Sequence, residues 1–295
     1  LPGLTIWTDT TVERVLFNGT TAVGVKISRN GASEEIFAGE VVLSAGALIT
    51  PQILMLSGIG PTDELARHSI PLVSHSSHVG RGLSDHPQLA AMWMPAETSE
   101  YPPGSWMGGV LHAQREAGEL EALQSIRSLS ELVGGEPDAS TALLLATVSP
   151  RRTGHLSLVS GSISDSPLVH YNYLEDPEVR ADLRSAARLA YDLLSTEAVT
   201  NNSEWSWGPT AEDIRTDALL DAWIAENVAT SMHACATASF AGPEPVVDPE
   251  GNVLGVKNLR IADTSILPAA PRRGPAVSAL LIGELIAQTM LAERG

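Results

Sequence analysis

Basic residues and cysteine are both scarce in this chain, and each scarcity excludes a class of function. Its 295 residues carry 18 Lys and Arg against 35 Asp and Glu, a formal net charge of −17. Nucleic-acid binding needs a basic footprint, and an anionic membrane surface is reached through basic segments. Neither is available, and the charge fits a protein kept dispersed by its own field. The single cysteine, Cys235, excludes a disulfide within the chain and contributes to no metal-ligand cluster. No metal is expected, because His112, His155 and His170 also lack metal-ligand spacing. Aromatic residues are few, 6 Trp, 4 Tyr and 3 Phe, so a broad sugar-stacking platform could exist only locally. No stretch reaches the roughly 18 uninterrupted apolar residues of a membrane span. No basic-plus-apolar signal opens the chain. These absences give the expectation of a soluble, cytoplasmic protein.

What is present is dense at both ends. With 43% hydrophobic residues the chain can bury a core, and its length suits one large domain or two ordinary ones. Val41-Val42-Leu43 reads as a short buried strand. Ser44, Ala45, Gly46 and Ala47 then carry almost no side chain, so a ligand can approach the backbone. Thr50-Pro51 reads as a helix start and Ser57-Gly58 as its stop. Strands are expected at Leu4–Ile6, Val12–Phe17, Ala22–Ile27 and Glu35–Ala38, with hairpin turns at Asn18-Gly19 and Asn30-Gly31. Gly80 to Pro87 reads as a loop.

The middle of the chain changes pattern. Strands are expected at Leu89–Met94, Ala142–Val148, His155–Val159 and Val169–Tyr173. Helices are expected at Pro177–Leu194 and Ala113–Leu132, the latter broken by Gly134-Gly135-Glu136-Pro137. This block reads as an antiparallel sheet with covering helices. Toward the end, Val246–Asp248 and Leu259–Ile261 read as short strands, and Pro275 opens a helix running to about Glu293. No internal repeat stands out.

His233, in SMHACATASF, is the foremost chemical candidate. Its small neighbours let a ligand reach the imidazole, whose unperturbed pKa lies near neutrality. A core histidine bonded to a carbonyl is the alternative.

Several segments together resemble the glucose-methanol-choline (GMC) oxidoreductases, FAD-dependent alcohol oxidases and dehydrogenases. They are Gly46-Ala47, Thr50-Pro51, Ile53-Leu54 and Ser57-Gly58-Ile59-Gly60; the Gly80–Pro87 loop; Asn172–Pro177; His233 with Thr237; Val246-Val247-Asp248; and Leu259–Pro268. The resemblance implies an α/β and α+β fold: the remainder of an FAD-binding Rossmann-like domain, residues 1–88 and 231–295, and a substrate domain with an antiparallel sheet, residues 89–230. It implies FAD as cofactor, with His233 taking the proton of a substrate hydroxyl while a hydride leaves for flavin N5. It places Ala45, Gly46, Ala262 and Asp263 near the FAD, Val12 by the adenine, and Pro275, Ala276 and Val277 at a helix start facing the flavin. Asp263 as a structural cap is the alternative.

Three departures qualify the resemblance. Ala236 replaces the glycine of H-x-x-G-T. Ala276 stands where a second histidine or an asparagine is usual, leaving Arg272 and Arg273 as nearby polar candidates or plain solvated charges. The FAD-pyrophosphate motif G-x-G-x-x-G is missing altogether. By family proportions roughly two hundred N-terminal residues are absent. They are expected on a second polypeptide or to have been removed by truncation, and this chain alone is expected to bind FAD poorly. Two further readings remain: a hydroxynitrile-lyase-like enzyme holding FAD without reducing it, and a non-catalytic flavoprotein-like binding subunit. The substrate is expected to be a primary or secondary alcohol.

Overall fold

The structure is a computed structural model and describes residues 3–97, 105–114, 118–132, 134–136, 138–149 and 151–295. The chain divides into two compact units. The first joins Leu1–Asp85, Arg151–Tyr171 and His233–Gly295; the second joins His86–Pro150 and Asn172–Met232. Both mix helices with sheets, as the α/β and α+β expectation has it.

In the first unit, strands Thr10–Asn18, Thr21–Arg29 and Ala32–Phe37 form an antiparallel meander. Asn30 and Gly31 both have positive φ, 52° and 76°, as a two-residue turn between twisted strands requires. One face of the meander, through Val15 and Ala22, enters a core with Leu43, Ile53, Leu54, Ile59, Leu259 and Ile261. At its centre Val41–Leu43 pairs in parallel with Leu259–Ile261, register Val41 with Leu259. Arg260 of that pair is 5% exposed. Its Nε donates to Glu40 at 2.8 Å, one Nη donates to the Glu250 carbonyl at 3.1 Å, and the other pairs with Glu293 near the end of the last helix. This buried guanidinium ties the strand pair to the C-terminal helix.

That helix, Ala276–Arg294, presses Ile282 and Ile286 into the core, yet leaves Val277, Leu280, Leu281, Leu285 and Leu291 exposed. Its Ala276–Glu293 window has a mean hydropathy of 1.4 and is 11% buried, so by length and composition it could cross a membrane. The expectation of no such segment rested on an uninterrupted apolar run. Here Ser278, Gly283, Glu284, Gln288 and Thr289 interrupt the run without lowering its mean far.

Several local expectations fail. Leu4–Ile6 is not a strand, and Leu4 and Ile6 are solvent-exposed. Arg81–Leu83 is a short strand pairing with Gly154–Ser157, not a loop. Val246–Asp248 contributes only one bridge, Val247 to Val253. Ala113–Leu132 is not one helix. Met107–Gln114 and Glu119–Ser125 are antiparallel strands, followed by the short helix Leu129–Leu132. Cross-strand partners on both sides outweigh the helical propensity of Glu, Leu and Ala. Pro137 lies outside the described residues.

The second unit is built on a six-stranded antiparallel sheet that includes Pro87–Pro95, Thr141–Thr147, Glu119–Ser125, Met107–Gln114 and the edge strand Ser203–Trp207. Helix Pro177–Leu194 covers it, burying Val179, Leu183, Ala186, Ala187, Ala190 and Leu194 at helical spacing. Asp176 caps its start by accepting from Glu178 N–H at 2.8 Å, with Pro177 in the first position. Arg184 joins this helix to Asp217–Asn227, donating from Nε to Asp221 at 2.6 Å and pairing with Asp217 at 3.1 Å.

Two predictions follow from these ion pairs. Arg260→Ala leaves Glu40 beside a buried gap and is expected to cost about 3 kcal/mol, read as a lower urea midpoint. The second concerns acid. Hydrogen bonding to Arg184, aided by its charge, holds Asp221 below the ordinary carboxylate value of 3.8. A depressed folded pKa means the stabilisation is complete above the unfolded pKa and is lost as pH falls through the folded one. The stability difference between wild type and Asp221→Asn is therefore expected to be constant above about pH 5 and to shrink on acidification.

Candidate active site

The site is assembled at the carboxyl ends of the parallel strand pair, where open α/β sheets bind ligands. Beyond Leu43 the chain turns through Ser44 and Ala45, both exposed, into Gly46 at φ +82°. Nothing lies within 4 Å of where a Gly46 Cβ would sit. Beyond Ile261, Ala262 N–H donates to the Leu43 carbonyl at 2.8 Å. Asp263 follows, 7% exposed. Its Oδ2 accepts from Gly46 N–H at 3.0 Å and Thr50 Oγ1 at 2.6 Å, and its Oδ1 accepts from Ser265 N–H at 2.8 Å. The Asp263 carboxylate thus welds the two strand-to-helix turns together.

Helix Gly46–Leu56 begins before the predicted Thr50-Pro51 start, and Pro51 lies inside it. Thr50 Oγ1 accepts from Ala45 N–H at 3.1 Å and so serves the helix start from within. Pro51 has no N–H for the Ala47 carbonyl four residues back. That carbonyl instead accepts from the buried Thr237 hydroxyl at 2.6 Å. The apparent break in the helix is an attachment point for the segment bearing His233.

That segment is held on every side. His233 N–H donates to the Asp85 carboxylate at 2.9 Å. Cys235 and Ser84 exchange backbone hydrogen bonds at 2.9 and 3.0 Å, and Ser84 Oγ accepts from Ala270 N–H at 2.9 Å. Thr264 Oγ1 donates to the Ala234 carbonyl at 3.1 Å, and Ala238 N–H donates to the Ser265 carbonyl at 2.9 Å. Ala236 has φ +71°, the left-handed region that favours glycine. Glycine at this place in the H-x-x-G-T pattern would carry no such strain. Burial pushes the Cys235 thiol up to about 12, so it is neither nucleophile nor ligand at neutral pH.

The His233 side chain is half-buried, and a Cβ on Gly274 would lie 3.1 Å from its Nε2. Gly274 immediately precedes Pro275, the N-cap of the C-terminal helix, whose first residues Ala276 and Val277 are exposed. The imidazole therefore stands beside a helix start, whose N–H groups lack intrahelical partners and carry partial positive charge. Arg272 and Arg273 are exposed just before it. The strand bearing Val12 packs at the far end of the 46–56 helix, where Val15 N–H donates to Ser57 Oγ at 2.8 Å. Only an extended ligand, spanning a helix about 15 Å long, could touch both ends. Sequence reasoning missed Asp85 and Gly274 as supporting residues, and read Thr50 as a helix cap without its bond to Asp263. Asp85 lay within the Gly80–Pro87 resemblance, whereas nothing in the sequence marked Gly274.

A small-residue turn at a parallel strand end, a half-buried histidine and a helix start lie within one α/β unit. Comparison with known proteins specifies it. The GMC oxidoreductase family profiles match residues 2–88 and 150–283. A GMC-type oxidoreductase of uncharacterized function from the thcA 5' region of Rhodococcus erythropolis is 31% identical over 295 residues, covering 99% of this chain and 57% of that protein. Mitochondrial choline dehydrogenase of Homo sapiens is 32% identical over 293 residues, covering 88% of this chain and 49% of the relative. In structure, a formate oxidase of Aspergillus oryzae superposes with TM-score 0.86 at 24% identity, over 99% of this chain and 61% of the other. Pyridoxine 4-oxidase from Mesorbium loti superposes with TM-score 0.76 at 23% identity, over 95% and 57%. The chain belongs to the GMC oxidoreductase family and spans about half the length of the relatives it matches.

Thr237→Val tests the attachment. It strands the buried Ala47 carbonyl and is expected to cost about 2 kcal/mol of unfolding free energy, read by chemical denaturation.

Proposed function

We propose that this chain is the histidine-bearing portion of an FAD-dependent oxidoreductase that oxidises a primary or secondary alcohol. The observation that carries the reading is His233 Nε2 beside Gly274 at the start of the C-terminal helix, in a chain of this family. The bare turn at Ser44, Ala45 and Gly46 suits a flat group lying against backbone. The Ala45 and Gly46 N–H groups are engaged by Thr50 and Asp263, so this turn supplies surface rather than donors. At the helix start opened by Pro275, the Ala276 and Val277 N–H groups supply the donors and the positive field. Ala262 and Asp263 would hold the FAD between the two turns, and Val12 would meet its adenine. When bound, FAD supplies the hydride acceptor.

His233 takes the hydroxyl proton of the substrate as the C–H bond breaks. The Asp85 bond fixes its main chain, and glycine at 274 keeps a Cβ from lying 3.1 Å from Nε2. Ala276 offers no side-chain hydrogen bond, so His233 carries the proton transfer without a polar partner at that position.

A complementary segment carrying G-x-G-x-x-G, on a second polypeptide or as the remainder of a longer chain, completes the enzyme. Parallel sheets are covered on both faces, yet this one is reduced to two strands with Val42 39% exposed. The uncovered Leu280, Leu281 and Leu285 of the C-terminal helix are of the kind such a segment buries. The compartment we propose is the cytoplasm.

The reassembled, FAD-loaded enzyme provides the test. Anaerobic addition of an oxidisable alcohol is expected to bleach the flavin. His233→Ala is expected to slow bleaching about 10²- to 10⁴-fold. Unchanged bleaching in the variant would remove His233 as the base. A flavin that stays yellow during turnover would favour the lyase reading.

A further inference from the structure

A second site lies wholly within the other unit. A cavity of about 550 Å³ opens between helix Pro177–Leu194, the edge strand Ser203–Trp207 and helix Asp217–Asn227. Trp207 and Trp223 line it, their ring centroids 6.0 Å apart and tilted by 44°. Tyr191, Ser195 and Ser206 also line it, and among the described residues their hydroxyls have no hydrogen-bond partner. Asp213 is the one ionisable side chain there apart from Tyr191. Its Oδ2 accepts from Thr210 N–H and Oγ1, both at 2.7 Å, while Oδ1 accepts nothing from the described residues. No Lys, Arg or His is among the lining residues. Guanidiniums on the adjoining segments are neutralised, Arg188 by Asp217 and Arg215 by Glu212.

We infer that this cavity binds an organic cation of the quaternary-ammonium or protonated-amine class, held by the faces of Trp207 and Trp223 and by Asp213 Oδ1. Indole faces are the most attractive of the side-chain rings to a cation. An unbonded carboxylate oxygen and a chain of net charge −17 favour the same sign. An anion finds no partner charge here. The cavity is larger than a tetramethylammonium ion, leaving room for a substituent that reaches the Tyr191, Ser195 and Ser206 hydroxyls. None of these residues belongs to the unit carrying His233, so the inference stands apart from the alcohol-oxidation reading.

The test is titration of the full chain with tetramethylammonium chloride at constant ionic strength, followed by tryptophan fluorescence and calorimetry. Saturable binding is expected, weakened about tenfold by Trp207→Ala and less by Trp207→Phe, which keeps a ring. Asp213→Asn is expected to weaken binding about fivefold. It also decides the matter if Trp207→Ala fails to fold by circular dichroism. tert-Butanol, a neutral molecule of similar shape, is expected not to saturate. Absence of saturable binding, or equal binding of tert-butanol or methyl glucoside, overturns the inference. So does an Asp213→Asn variant with wild-type affinity.

Discussion

One buried carboxylate organises the first unit. Asp263 receives Gly46 N–H, Thr50 Oγ1 and Ser265 N–H, joining residues more than two hundred positions apart in the chain. Three short hydrogen bonds offset the cost of desolvating the acid. The weld sets the relative position of the two strand-to-helix turns, and the His233 segment is then hung between them by Thr237 on one side and Thr264 on the other. This framework fixes the backbone that carries the imidazole.

The same economy of small residues appears throughout the site. Ala45, Gly46 and Gly274 carry little or no side chain and are not buried, while Ala236 is a small residue packed out of solvent within the His233 segment. Hydrogen bonds therefore add the rigidity that small side chains cannot supply by packing alone. This explains the concentration of hydroxyl and carboxylate partners around Thr50, Ser84, Asp85 and Thr264. The second unit is stabilised differently, by an amphipathic helix against a sheet and by arginine pairs between helices. Its aromatic cavity arises where the edge strand meets two helices, so that tryptophans are left partly solvated.

Much of the fold was legible in the sequence because its signals are local. The Asn30-Gly31 turn, the Pro177–Leu194 helix with its acidic cap, and the helix opened at Pro275 each follow from residue types within one or two turns. The failures share a cause. Ala113–Leu132 has helix-forming composition, but cross-strand pairing makes strands of its first two residues and of Glu119–Ser125. Pro51 reads as a helix start because the sequence does not display Thr237, which satisfies the freed carbonyl. Arg81–Leu83 reads as a loop because its strand partner lies some seventy residues away.

For the site, the sequence by itself determined which groups are available: one imidazole among small residues, a bare turn after a strand, an acid after another strand, and a proline-opened helix. It also determined what is not available, a G-x-G-x-x-G cradle. Only the tertiary structure decided that His233 Nε2 meets Gly274, that Asp85 holds the histidine main chain, and that Asp263 serves as a cross-link. Local propensity acts over a few residues, whereas these contacts join segments brought together only when the core closes around the parallel strand pair.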